Sequence, residues 1–102
     1  MEFLQNMGAN LPPVEEAEVK VDLRGMEKPD ALQKLDHIVK YCKRSSAQTL
    51  YVLFDPVRPG AGETLFQPVA RYFKFEKYNG YVASAVPVMR DDSGGFFVTF
   101  KL

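Results

Sequence analysis

The sequence predicts an α/β fold: a two-layer α+β sandwich of order βαβαββ, with a four-stranded mixed sheet and two helices on one face. Three observations predict it. Val19, Val21 and Leu23 alternate with Lys20 and Asp22, the period of a strand with one buried face. Leu32, Leu35, Ile38, Val39 and Cys42 recur at spacings of three and four, the stripe of an amphipathic helix. The apolar run Leu50 to Phe54 follows that helix, and a crossover of this kind implies pairing parallel to the first strand. Short connections and right-handed crossovers then place both helices on the same side of the sheet.

Each element has its own punctuation. Residues 1–18 hold Asn6, Gly8, Asn10, Pro12-Pro13 and the acids Glu15, Glu16 and Glu18 without a sustained period. They read as a flexible arm, in which Phe3, Leu4 and Met7 could dock as a short turn; residues 19–102 read as the domain. After strand 1, Arg24 to Lys28 form a loop. Pro29 then takes the first helical position, Asp30 complements the positive helix end, and Ser45-Ser46 ends the helix. Asp55 to Glu63, with two prolines and two glycines, forms the loop after strand 2. Thr64, with Gln67 three residues on, is the candidate cap of a second helix that runs through Leu65, Val69, Tyr72, Phe73 and Glu76 to Asn79-Gly80. Tyr81 to Val88 and Phe96 to Leu102 complete the sheet around a polar loop, Arg90 to Gly95. Pro87 cannot donate to a ladder, which puts strand 3 at an edge.

Composition narrows the function. With 46% hydrophobic residues in 102, the chain buries one core and needs no disulfide or metal for stability. Thirteen basic residues balance thirteen acidic ones, so no overall field recruits nucleic acid or an anionic membrane, and only local patches remain. Nothing approaches the roughly 18 apolar residues of a membrane span, and Met1 to Asn6 do not resemble a secretory signal, so a soluble cytoplasmic protein is expected. Cys42 sits on the apolar stripe and reads as a core thiol. His37 is the single histidine and reads as a solvated side chain, since a metal site needs three or four ligands. Gly60-Ala61-Gly62 lacks the rest of a phosphate-binding fingerprint, and Asp91-Asp92 reads as turn chemistry. Phe96, Phe97, Phe100 and Tyr81 could stack on a single strand, but sheet packing explains them more simply. No cofactor and no metal is expected.

The most distinctive segment is Asp22-Leu23-Arg24-Gly25-Met26-Glu27-Lys28-Pro29. Asp22, Gly25, Met26 and Pro29 resemble the Asp-x-x-Gly-[Leu/Met]-x-Cys-Pro signature of the TusA/SirA-like sulfur carriers. Asp55-Pro56, Pro68, Gly80 and the final hairpin continue the similarity over residues 19–102. That resemblance implies sheet order 1-2-4-3 with strand 4 antiparallel. The carriers bear a persulfide on the cysteine before the proline, a position occupied here by Lys28. Asp22-Leu23-Arg24-Gly25 also resembles the Asp-Leu-[His/Arg]-Gly strand end of the Smr nuclease domains, which share the βαβαββ order. Their His-Gly-x-Gly motif would fall where this chain has Phe54-Asp55-Pro56.

The leading expectation is a TusA-like domain without its carrier cysteine, acting as a non-catalytic protein-binding or regulatory module. One alternative is a sulfur-relay component that borrows a partner's thiol; another is an Smr-like nucleic-acid-binding domain without an intact nuclease motif. The expected partner is another protein, with nucleic acid less favoured and no membrane. No catalytic residue is assigned. The candidate binding residues are Asp22, Arg24, Gly25, Lys28, Asp55 and Arg58, gathered at the carboxyl ends of the parallel strands, where such sheets bind ligands.

Overall fold

A computed structural model describes residues 13–56 and 64–101. After a 3-10 turn at Val14–Glu16 come β1 (Val19–Asp22), α1 (Lys28–Ser45), β2 (Thr49–Phe54), α2 (Phe66–Tyr78), β3 (Val82–Met89) and β4 (Gly94–Phe100). The sheet order is β1-β2-β4-β3, with β1 and β2 parallel and β4 antiparallel to both of its neighbours. β3 is an edge strand, and Pro87 lies opposite Phe96.

The pleat sorts the core. Leu50, Val52 and Phe54 of β2 and Phe96, Val98 and Phe100 of β4 are buried with Leu35, Val39 and Cys42 of α1 and Val69 and Phe73 of α2. Both helices therefore cover the same sheet face. Phe54, Phe66, Phe73 and Phe96 pack ring to ring there, with centroids as close as 5.3 Å between Phe66 and Phe96. Ile38, expected within the stripe, is only partly buried beside it. On the other sheet face Tyr51 and Phe97 pack with Val14 of the 3-10 turn. Glu15 accepts a hydrogen bond from Arg90 Nη1 at 3.2 Å. The docking of Phe3, Leu4 and Met7 lies outside the described residues, as do Arg58 and Gly60-Ala61-Gly62.

The helix ends follow their residues. Pro29 enters the first turn of α1, and Ser46 closes it in the left-handed region at φ 59°. α2 starts at Phe66, after Leu65 rather than Thr64. Thr64 Oγ1 accepts from the Phe66 N–H at 3.4 Å, and Pro68 sits in the first turn, where its missing donor has no partner to lose.

The hairpin differs from expectation. β4 begins at Gly94 and not at Phe96, so the loop shrinks to Arg90–Ser93 and closes with the Arg90 N–H donating to the Ser93 carbonyl at 2.9 Å. The two glycines serve close approach rather than a turn. A Cβ on Gly94 would lie 2.6 Å from the Phe54 ring, and one on Gly95 would collide with the Val52 carbonyl oxygen.

Candidate functional site

The ends of the two parallel strands meet at one corner. The Leu23 N–H extends the ladder to the Leu53 carbonyl at 2.8 Å, and the chain then turns sharply. Asp22 makes the turn: its Oδ1 accepts from the Arg24 backbone N–H and from Arg24 Nε, both at 3.0 Å, while Oδ2 accepts from Nη2 at 2.8 Å. Gly25 takes φ +77°, a conformation that suits glycine, and its N–H donates to Asp55 Oδ2 at 2.8 Å. Lys28 opens α1, and with Met26, Glu27, Asp55, Pro56, Thr64 and Leu65 it lines a cleft of about 350 Å³. Asp22, Arg24, Gly25, Lys28 and Asp55 are thus brought together.

The corner is electrostatically closed. Its hydrogen bonds from Arg24 hold the Asp22 carboxyl down at about 2, from an ordinary 3.8, and the same pairing raises Arg24. Arg24 Nη1 lies 3.8 Å from Asp92 Oδ2, and Asp55 adds a further negative charge nearby. An incoming anion would meet an arginine already matched by carboxylates. Among the described residues no cluster of three or more His, Cys, Asp or Glu could hold a metal ion. His37 is exposed on α1, and burial pushes the Cys42 thiol pKa up.

Positive charge gathers elsewhere. The helices carry Lys28, Lys34, Lys40, Lys43, Arg44, Arg71, Lys74 and Lys77 against Asp30, Asp36 and Glu76. All eight cations are exposed, and two of the three acids are already engaged. Asp36 accepts from Tyr72 Oη at 2.9 Å and pairs with Lys40 at 2.8 Å; Glu76, which is buried, pairs with Lys43 at 3.4 Å. Because the whole chain is neutral, the remainder holds an equal excess of acid. The buried stripe of α2 is legible in the sequence, whereas its exposed complement, Arg71, Lys74, Phe75 and Tyr78, is not among the residues the sequence singles out. Their own helical spacing was the available signal.

No protein-family model matches the chain, and no curated protein matches it. Among solved structures, it is similar to the Smr domain of Thermus thermophilus MutS2, with a TM-score of 0.64 and 24% sequence identity; the match covers 81% of this chain and 98% of that one. The fold is therefore one shared with an Smr domain.

This finding corrects the TusA/SirA-like reading: the structural neighbour is an Smr domain and not a sulfur carrier. The physical reason for the misleading match is visible at the corner. Asp22 accepts the turn's N–H, Gly25 supplies the positive φ, and Pro29 sits in the first turn of the helix. Any strand that turns this tightly into a helix favours such residues, whatever chemistry follows. No helix among the described residues is long and apolar enough to cross a membrane.

Proposed function

We propose that this chain is a nucleic-acid-binding domain on the fold it shares with an Smr domain, and that it holds the phosphate backbone on the outer surface of its helical layer. The observation that carries this reading is the charge segregation: in an overall neutral chain the two helices carry eight exposed cations against three acids, an excess of five positive charges that remains after Lys40 pairs with Asp36 and Lys43 with Glu76. Phosphate contacts supply most of non-specific affinity, so a local basic surface suffices where net charge does not. Asp22, Arg24, Gly25 and Asp55 act as the brace that fixes the start of α1, and Lys28 joins the basic surface from there. The role is binding rather than cleavage, because Phe54-Asp55-Pro56 stands where the resembled nucleases carry His-Gly-x-Gly. Fluorescence anisotropy of labelled oligonucleotides tests it. Binding should weaken steeply as salt rises, and Arg44→Glu combined with Lys77→Glu, at two exposed cations outside the Lys40 and Lys43 ion pairs, should weaken it further. Absence of binding at low ionic strength would overturn the reading in favour of a protein partner.

A further inference from the structure

We infer that the outer face of α2 is a stacking platform for single-stranded nucleic acid. The inference rests on the nucleic-acid reading above and names the class of strand and the residues that grip it. Arg71, Lys74, Phe75 and Tyr78 stand at i, i+3, i+4 and i+7, so they share one helical face. Phe75 is 63% exposed and Tyr78 88% exposed. Among the described residues no side-chain hydrogen bond, ion pair or ring contact engages any of the four.

Among the described residues, Tyr41 is also half exposed but belongs to α1, and the remaining aromatic side chains that could have stacked are occupied. Phe96, Phe97 and Phe100 are buried, Tyr72 donates to Asp36, and Lys43 Nζ sits 3.8 Å above the Tyr81 ring. The only acid on α2, Glu76, is buried against Lys43. The face therefore offers two cations and two open rings one turn apart, with no exposed carboxylate of its own helix. A polyanion with accessible π faces complements it. In a duplex the base faces are stacked on one another and cannot reach Phe75 or Tyr78, whereas an unpaired strand presents both phosphates and bases.

The test uses the full chain and fluorescein-labelled oligo(dT) and oligo(U) of about twelve nucleotides, within the usual site size, together with the oligo(dA)·oligo(dT) duplex. Phe75→Ala and Tyr78→Ala should each weaken single-strand binding by about fivefold or more, the lower end for loss of one base–aromatic stack. Duplex affinity should stay unchanged, and Tyr78→Phe should bind as the wild type does. Both substituted positions are exposed, and an unshifted thermal midpoint verifies that each variant is folded. Tighter binding of oligo(U) assigns the strand as RNA, and tighter binding of oligo(dT) assigns it as DNA; either supports the platform. Wild-type single-strand affinity in both alanine variants, or equal losses on strand and duplex, would overturn the platform while leaving nucleic-acid binding intact. A wild-type chain that binds none of the three probes would overturn both.

Discussion

The backbone N–H of Gly25 donates to Asp55 Oδ2 at 2.8 Å, joining the exits of the two parallel strands across 30 residues of chain. The bond ties the turn before α1 to the end of β2, so the direction in which α1 leaves the sheet is set by a side chain from another strand. Asp55→Ala should cost about 1–3 kcal/mol, as expected for an amide hydrogen bond to a carboxylate. Asp55→Asn should recover part of it. Gly25→Ala has room for its Cβ but must hold φ +77°, and should cost about 1–2 kcal/mol. Urea midpoints of the three variants measure these differences.

Asp22 should titrate below an ordinary aspartate. Its folded pKa of about 2 lies under the ordinary 3.8, so ionisation favours the folded state. That contribution is complete above the ordinary value and fades as pH falls from about 4 through about 2. Carboxyl carbon shifts followed by NMR should show this, and Arg24→Ala should move the midpoint up toward 3.8. An unmoved midpoint in the variant would place the cause outside the Asp22–Arg24 fork.

Tyr72 couples the two helices through Asp36. Burial, followed by the bond to Asp36, pushes the phenol well above its usual range, so it stays protonated and keeps donating at any ordinary pH. Tyr72→Phe should lower stability by about 1–2 kcal/mol. The Asp36 carboxyl should stay lowered even then, because the hydrogen bond from Lys40 is a larger cause than the one from Tyr72. Thermal unfolding and the Asp36 titration provide the two readouts.

Leu35→Ala removes a fully buried side chain from the centre of α1 and should cost about 2–5 kcal/mol. Cys42 lies on the same face and is 1% exposed. Native protein should react with a thiol reagent slowly and unfolded protein quickly; fast native labelling would show that α1 does not seal this part of the core.

Gly95→Ala should be worse than an ordinary strand substitution. Its Cβ would strike the Val52 carbonyl oxygen, which is backbone and cannot swing aside. Hydrogen exchange should rise along β2 and β4 in this variant. Gly94→Ala strikes the Phe54 ring, which can tilt, and otherwise reaches only ordinary contact with Met89 Sδ, so it should be milder.

The fold was legible because its signals are periodic. Val19 to Leu23 alternate, the α1 stripe repeats, and Pro87 can stand only where a ladder donor is dispensable. The start of β4 was illegible because Ser93-Gly94-Gly95 carries turn composition, and only the Phe54 ring and the Val52 carbonyl on the neighbouring strand explain glycine there. At the corner, Asp22, Arg24 and Gly25 stand out in the sequence as one segment, and the structure places them in one turn. Composition could not say that Arg24 spends its charge on Asp22, since that depends on a fork geometry between residues two apart. Phe75 and Tyr78 are illegible as surface residues because large aromatic side chains on a helix ordinarily signal burial.

Pro87 has a consequence for how copies of the chain meet. A flat sheet margin templates the addition of further strands, the route to fibrous assembly. On β3, Pro87 withholds one donor, and a register shift between Val82 and Ser84 disturbs the spacing of the others. The opposite margin, β1, is only four residues long. Val86 and Met89 can therefore stay exposed on the β3 margin without seeding growth, and concentrated solutions should remain free of strand-to-strand polymers.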